Sequence, residues 1–454
     1  MNDTIVKNIL VDLKKRPEAV SAEEAQYTSV ALATLQEFTD ICKNMTSFNE
    51  DVELVLVFNN APPVGLQEGE EEAYAEYVHK LFCEGSCYGM AEQDPLSTLV
   101  LLGGVFRIVR TISEADPDNY KLVSIGLDLL LFQAIALRNM KEAALAKRNL
   151  LTILEVASDM ENLQAKYTVR DPRDMLVDVA SRAAPSAWLL SCILHEDDDD
   201  KAAHEYLVLA SSMYAQIVNS RAVKHSSNVA ALIGFAETLA MQDKMVSCVR
   251  VLDKAIKNSK KLLKKEVTPY NAFLASVAYH RRGELYAIID EWNMAFENFT
   301  EAIKWIVKAT EIAPINTHYE ERYTQYLNEL GILHGVRGDL VNAQKVFLKA
   351  INHNRALIVH SEKYKSSLVS TLNNMSILMH RYGRHHVAKY YLQESIEVID
   401  GMADAYTEMN REEMRDSLTE TMKSLDALMR ERKSAAWRPV WNPEQSSYSP
   451  SLPN

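Results

Sequence analysis

The sequence predicts an all-α protein in which antiparallel helix pairs stack side by side as an α-solenoid. Three observations support this fold class. Glycine supplies 14 of the 454 residues, about 3% against a usual share of roughly 7%, so the chain lacks the turn residues that a β-rich protein needs. Apolar residues recur at helical spacing over long stretches. One pattern of small and apolar residues also occurs five times at a nearly constant interval.

The clearest copy of the pattern indicates two helices that pack against each other. Gly283 on the first helix and Ala295 on the second are small, so the two backbones can approach closely. Tyr286 and Phe299 fill the space around that contact, and Ala302 leaves room for the next helix pair. A glycine inside a helix costs about 1 kcal/mol relative to alanine, and we expect close packing to offset this cost.

Four more copies carry the same order of residue types on either side of a turn. They comprise Ser191, Leu194, Asp198, Ala203, Leu207 and Ala210; Ala236, Leu239, Asp243, Cys248, Leu252 and Ala255; Gly331, His334, Gly338, Ala343, Phe347 and Ala350; and Ser376, Met379, Gly383, Ala388, Leu392 and Ser395. The first small residues of the five copies are 45, 47, 48 and 45 positions apart. Such a period indicates a solenoid, in which each helix pair buries its apolar face against its neighbours.

The order small–x–x–aromatic, turn, Ala–x–x–x–Phe–x–x–Ala resembles the tetratricopeptide repeat (TPR), most closely in the copies at 279–305 and 324–353. The resemblance covers residues 185–400 and implies a right-handed α-solenoid of five long repeats. The usual repeat has about 34 residues. The longer repeats here are similar to those of kinesin light chains and of the mitochondrial TPR family that assists respiratory complex III assembly.

The N-terminal region, residues 1–184, is predicted to be helical but less regular. Helices are expected near 4–14, 22–44, 69–90, 95–113, 121–137, 140–158 and 172–183. The pairs 95–113/121–137 and 140–158/172–183 could be degenerate hairpins. Residues 51–57 are apolar and could form either a short strand or half a helix.

Residues 401–433 are predicted to form an amphipathic helix that caps the open end of the solenoid. Its apolar positions are Met414, Leu418, Met422, Leu425 and Met429. Residues 434–454 include four prolines and five serines, a composition typical of a disordered tail. Within this tail, Trp437 and Trp441 could form a short docking motif or fold back onto the solenoid.

The bulk composition excludes some classes of function. A net charge of −13 argues against nucleic-acid binding, and no apolar stretch reaches 18 residues without a charge, so no transmembrane helix is expected. Five scattered cysteines suit a reducing compartment. We therefore expect a cytoplasmic protein; a mitochondrial one is the alternative, because the amphipathic N-terminus resembles a presequence.

No catalytic signature occurs in the sequence, so we expect no enzyme activity, no metal and no cofactor. Cys83 and Cys87 lie four residues apart, but a zinc site needs about four ligands, and two unlinked thiols are the alternative. The acidic run at 195–201 could hold a cation weakly; otherwise it is a solvated turn in which an aspartate caps the next helix. Residues 384–386, Arg-His-His, also lie at a hairpin turn.

The first helices of successive TPR hairpins line a concave groove, so the resemblance implies which residues face a protein or peptide partner. The matching positions are His280, Glu284, Gln325, Asn328, Ile332, Asn373 and Ile377, with Asn374 close by. An asparagine amide both donates and accepts, so Asn328 and Asn373 are expected to hold a peptide backbone. Ile332 and Ile377 would contact apolar side chains. The alternative is that these residues are surface groups between repeats.

Some TPR domains hold the C-terminal carboxylates of heat-shock chaperones with lysine, asparagine and arginine on three adjacent repeats. The matching positions here are His280, Glu284, Glu329, Ser370 and Asn374. Lysine and arginine are missing, and two glutamates would repel a carboxylate. We therefore expect no chaperone docking of this kind.

A basic stripe also stands out at helical spacing. It consists of Lys254, Lys257, Lys261, Lys264 and Lys265. These lysines could meet an acidic partner or a membrane surface. The alternative is a solvated face, since cations near the C-terminal end of a helix are favoured by the macrodipole.

Two hypotheses for function follow. In the first, the protein is a non-enzymatic scaffold that binds a peptide or protein partner in its groove. In the second, it is a structural subunit that is permanently built into a larger assembly, whose neighbours shape the irregular N-terminal third.

Overall fold

The structure is a computed structural model that describes residues 6–7, 10–11, 14, 21–44, 63–84, 95–116, 119–167, 172–220, 225–313, 317–358, 364–401 and 415–425. No strand occurs in these ranges, and the all-α prediction is confirmed. The predictions for residues 51–57, for the tail 434–454 with its two tryptophans, and for Cys87 lie outside the described residues.

Most of the described residues form helices, and between Pro95 and Asp400 at most six residues separate one helix from the next. In chain order they are α1 Ala22–Asn44, α2 Glu71–Glu84, α3 Pro95–Ala115, α4 Tyr120–Asn139, α5 Ala143–Ser158, α6 Met160–Lys166, α7 Pro172–Glu196, α8 Asp200–Asn219, α9 His225–Met241, α10 Met245–Lys265, α11 Pro269–Ile288, α12 Trp292–Ile312, α13 Thr317–Val336, α14 Leu340–Ile358, α15 Lys365–Arg381 and α16 His385–Asp400, followed by α17 at 415–425.

The chain divides into two compact units, Met1–Tyr326 (unit 1) and Leu327–Asn454 (unit 2), and the division falls within α13. The sequence predicts a domain boundary between residues 184 and 185. In the structure this position lies inside α7, which is continuous through Pro185. Residues 172–183 are therefore the first half of the helix that carries Ser191, and not a separate helix.

The predicted helix pairs are present as antiparallel hairpins. In unit 1, α7 packs on α8, α9 on α10 and α11 on α12; in unit 2, α15 packs on α16. The small residues do allow close approach. A Cβ atom at Gly283 would lie 3.1 Å from the ring of Phe299, and one at Gly331 would lie 2.6 Å from the ring of Phe347.

All five predicted hairpins turn through the same left-handed backbone conformation. The turn residues and their φ angles are Asp198 62°, Asp243 56°, Asp290 61°, Gly338 80° and Gly383 73°. The next backbone N–H donates to a carbonyl five residues earlier, as from Glu291 to Tyr286 at 2.8 Å, which closes the helix end in a Schellman motif. Glycine and aspartate are among the residues that tolerate this conformation.

The structure adds a sixth hairpin of this type, α4/α5, which the sequence analysis missed by pairing 140–158 with 172–183. Lys141 has a φ of 65°, and the Glu142 N–H donates to the Leu137 carbonyl at 2.9 Å. The repeat offsets place Ala134, Leu137, Ala146, Leu150 and Ile153 in the pattern, and all are buried. The short helix α6 lies between this hairpin and α7 and lengthens the interval.

In unit 2 the described part of the predicted cap, α17, packs on the preceding hairpins. Leu418 and Leu425 are buried in the cluster that includes Leu392 and Ile399 of α16. Arg415 Nε lies 2.9 Å from Asp400 Oδ1. Two of the five apolar positions of the predicted cap, Met414 and Met429, lie outside the described residues.

Two helices of unit 1, α3 and α4, are long and apolar enough to cross a membrane by length and composition, although no such helix was expected. Within the apolar windows, 61% of α3 and 67% of α4 residues are buried inside the protein. The helices pack against each other, and α2 packs on both. Burial in the core of unit 1 accounts for their composition.

Candidate functional site

The predicted groove residues are divided between the two units. His280, Glu284 and Gln325 belong to unit 1, whereas Asn328, Ile332, Asn373, Asn374 and Ile377 belong to unit 2. The structure brings His280 next to Glu284, with His280 Nδ1 3.6 Å from Glu284 Oε2, and Asn374 next to Asn328. Gln325 is hydrogen-bonded to Arg322, which is not one of the predicted groove residues.

His280 is a core residue of unit 1 and not part of an exposed face. Its side chain is only 3% exposed and stacks on the ring of Tyr326 at a centroid distance of 4.1 Å. The edge of a second ring, Phe299, meets it at 5.4 Å. The position of His280 in the repeat predicts a place on the groove face. The surrounding aromatic rings, which bury it, come from other helices.

Glu284 belongs to an ion network that the sequence analysis did not identify. Arg281 donates from Nη1 to Glu284 Oε2 at 3.0 Å and from Nε to Glu237 Oε1 at 3.1 Å. Glu237 and Glu284 occupy the same position in successive repeats, six residues before the turn residues Asp243 and Asp290. The network therefore links the first helices α9 and α11 and makes their shared face charged.

Gln325 lies half-buried on α13 and is held by its own helix. Its side-chain oxygen accepts a hydrogen bond from Arg322 Nη1 at 2.9 Å. The amide is therefore oriented by a residue one turn earlier.

In unit 2 the predicted residues form two short rows across α13 and α15. Asn328 and Asn373 each lie ten residues before their turn glycines, and Ile332 and Ile377 each lie six residues before them. All four are half-buried. Asn374 Nδ2 donates to Asn328 Oδ1 at 3.2 Å, so an amide pair bridges the two first helices and leaves the Asn328 amide nitrogen as a donor.

The basic stripe lies on α10 in unit 1, and all five lysines are exposed. Within the described ranges, no carboxylate forms an ion pair with any of them, although Lys254 donates to the Val218 carbonyl at 3.4 Å. By contrast, Lys304 and Lys308 on α12 pair with glutamates of the same helix. The stripe is thus a local concentration of positive charge on a chain with a net charge of −13.

Unit 2 also contains a cleft of about 330 Å³ at the ends of α14, α15 and α16. It is lined by Arg355, Ile358, Lys365, Leu368, Glu394, Glu397, Val398 and Gly401. Arg355 pairs with Glu394, and Lys365 donates to the Gly401 carbonyl. Arg355, Lys365 and Glu394 of this cleft are thus used in links between helices, and Glu397 accepts a hydrogen bond from Gln393 on its own helix.

Two cysteines are expected to react slowly with alkylating reagents. Burial raises the pKa of the Cys192 thiol and of the Cys248 thiol to about 11. Iodoacetamide at pH 8 should therefore label both on the order of tenfold to a hundredfold more slowly than a free thiol, since only the thiolate reacts. Peptide mapping by mass spectrometry measures the rates. The control is the urea-unfolded chain, and equal rates in the two states would contradict the predicted burial effect.

Comparisons with known proteins identify similar folds at low sequence identity. No protein-family model matches the chain, and no curated protein matches it. BtubC (BKLC) from P. vanneervenii is 14% identical with a TM-score of 0.43, over 57% of this chain and 94% of that one. A putative kinesin light chain with nearly identical TPR-like repeats from Podosopora anserina is 15% identical with a TM-score of 0.35. The match covers 48% of this chain and 95% of that one. Aspartyl phosphate phosphatase F from Bacillus subtilis is 13% identical with a TM-score of 0.34. The match covers 89% of this chain and 97% of that one.

Proposed function

We propose that this protein is a non-enzymatic interaction scaffold that binds a peptide or protein segment on the first helices of its hairpins. The observation that supports this function best is the pair of rows on α13 and α15. Identical residue types, asparagine and isoleucine, stand at equivalent positions of two successive repeats and remain half-buried at the surface. The Asn373 side chain forms no hydrogen bond with the described residues and is half-buried, so its amide can bind a ligand backbone.

The rows fit an extended segment that crosses the two helices. Packed helices have axes about 8–10 Å apart, and an extended chain rises about 3.1–3.4 Å per residue. Such a segment passes from one first helix to the next in about three residues. Asn373 and the free donor of Asn328 would bind its backbone. In a polyproline II conformation, which has three residues per turn, side chains three residues apart lie on one face, so Ile332 and Ile377 would contact two such apolar side chains.

The first-helix face of unit 1 is charged, so it favours a ligand with different side chains. Glu237 and Glu284 occupy the position that isoleucine holds in unit 2, and Arg281 bridges them. A partner that contacts this face would have to satisfy two carboxylates and one guanidinium, so we expect polar or basic side chains there.

The double variant Asn373→Ala/Ile377→Ala should lose its partner. Truncating central contacts of an interface costs about 1–2 kcal/mol or more, so we expect partner recovery from lysate to fall about tenfold. The measurement is affinity purification of the full chain followed by quantitative mass spectrometry. Asn328 is left intact because it also bridges α13 and α15.

A matched control removes an asparagine and an aliphatic residue from the second helix of a hairpin. Asn352 and Leu348 are exposed on α14, so Asn352→Ala/Leu348→Ala should recover the partner as the parent does. Equal recovery with the Asn373/Ile377 variant would exclude binding at the proposed rows.

A second candidate function, a permanently assembled structural subunit, is favoured by exposed apolar residues near the hairpin turns. In unit 1 these are Met241, Val246, Ile288 and Ile289, and in unit 2 they are Val336, Val341, Tyr382, Val387 and Tyr390. Val341 is 76% exposed, and repeated apolar exposure marks surfaces that partners cover. Size-exclusion analysis of the endogenous protein tests this: a stoichiometric large complex supports it, and elution as a single chain contradicts it.

A further inference from the structure

Three metal-ligating side chains converge between α2 and α4 in unit 1. His79 and Cys83 are four residues apart on α2, so they lie on one face of the helix. Asp128 reaches the same place from α4. His79 Nε2 lies 2.8 Å from Asp128 Oδ2 and 3.4 Å from Cys83 Sγ, and the three ligand atoms all lie within 4.8 Å of one another.

The geometry fits a coordination site better than a catalytic triad. In a triad the nucleophile and the carboxylate use opposite nitrogens of the imidazole, whereas here Cys83 and Asp128 both lie against His79 Nε2. Zinc bonds of about 2.3 Å to sulfur and 2.0–2.1 Å to nitrogen place tetrahedral ligands roughly 3.5 Å apart. The observed sulfur–nitrogen distance of 3.4 Å matches this spacing.

The contact between His79 and Asp128 is shorter, at 2.8 Å, because a proton joins the two groups. A cation that replaces this proton would move the two atoms apart by roughly half an ångström. The Cys83 thiol would release its own proton and bind as a thiolate.

Neighbouring charges hold the Asp128 carboxylate in place. Arg182 on α7 donates from Nε to Oδ1 at 2.9 Å and from Nη2 to Oδ2 at 2.8 Å, and it also binds Asp178. Tyr120 donates to Asp178 at 2.9 Å. With a divalent cation, the charges of the thiolate, the two carboxylates and the guanidinium sum to zero, so the occupied site is electrically balanced.

We propose that His79, Cys83 and Asp128 bind one zinc ion, with a water at the fourth position and Arg182 as an outer-shell partner of the carboxylate. A thiolate, an imidazole and a carboxylate form a ligand set that zinc takes. His79 and Cys83 are both partly exposed, so an ion can enter from solvent. The site is independent of the interaction surface proposed above.

Zinc titration of the full chain tests the site. The metal-stripped parent should bind one zinc per chain, and Cys83→Ala and His79→Gln should each weaken affinity at least about tenfold, as even the loss of an outer-shell partner does. Cobalt added to the parent should give a thiolate-to-metal charge-transfer absorption that is lost in Cys83→Ala.

Matched controls remove the same groups elsewhere in unit 1. Cys192→Ala on α7 and His204→Gln on α8 should bind zinc as the parent does, and far-ultraviolet circular dichroism confirms that each variant is folded. Asp128 is not substituted in this test because its loss also removes two hydrogen bonds of Arg182. Absence of stoichiometric zinc in the parent, or equal affinity in Cys83→Ala, His79→Gln and the controls, would overturn the proposal.

Discussion

Replacing Asp128 with alanine is expected to lower the free energy of unfolding of unit 1 by about 3 kcal/mol. The Asp128 and Arg182 side chains are only 12% and 13% exposed, and they share two hydrogen bonds. Removing one partner of a buried pair costs about 3–5 kcal/mol because the other charge is left uncompensated. Asp178 still binds Arg182, so we expect the lower end of this range. Urea denaturation followed by circular dichroism measures the change.

The ionisation of Asp128 determines whether a neutral side chain of the same shape would be tolerated at this position. Burial alone would raise the pKa of Asp128, but the charge and hydrogen bonds of Arg182, together with His79, hold it below its usual value. The carboxylate is therefore charged at neutral pH, and Asp128→Asn should be destabilising as well.

The matched control for Asp128 is an exposed ion pair in the same unit. Arg110 and Glu114 pair at 3.0 Å on α3, with both side chains largely exposed. Glu114→Ala should change the free energy of unfolding by less than about 0.5 kcal/mol. If Asp128→Ala unfolded at the same urea concentration as Glu114→Ala, the buried pair would not contribute as described.

The sequence was sufficient to predict the hairpins because their packing depends on local spacing. Gly283 and Phe299, or Gly331 and Phe347, are sixteen residues apart in each case, so the contact recurs wherever the spacing does. The turn conformation is equally local. The hairpin around Lys141 carries the same offsets, but its longer interval to the next copy hid it from a search for a constant period.

The candidate sites were harder to predict because their contacts join distant parts of the chain. His79 and Asp128 are 49 residues apart, and Arg182 is 54 residues beyond Asp128. Repeat spacing places His280 correctly on its helix, but it cannot reveal that Tyr326 and Phe299 cover it. Nor does it predict that Arg281 bridges two glutamates of different helices.

Replacing Gly331 with leucine is expected to lower the free energy of unfolding of unit 2 by about 3 kcal/mol, the upper end of the usual cost of overpacking. A Cβ at this position would lie 2.6 Å from the Phe347 ring. Phe347 is 1% exposed and lies in a buried cluster with Ile351 and Leu372, so little space is left into which the ring could move. Urea denaturation of the full chain measures the loss.

A series of alanine substitutions separates this clash from helix propensity. Alanine gains about 1 kcal/mol over glycine in a helix, and the nearest atom to the new Cβ lies at 2.6 Å for Gly331, 3.1 Å for Gly283 and 3.9 Å for Gly126. Gly126→Ala should therefore stabilise, Gly283→Ala should be nearly neutral, and Gly331→Ala should destabilise. Phe347→Leu should recover part of the loss in Gly331→Ala. If all three alanine variants were stabilised equally, the glycines would not be required for close helix packing.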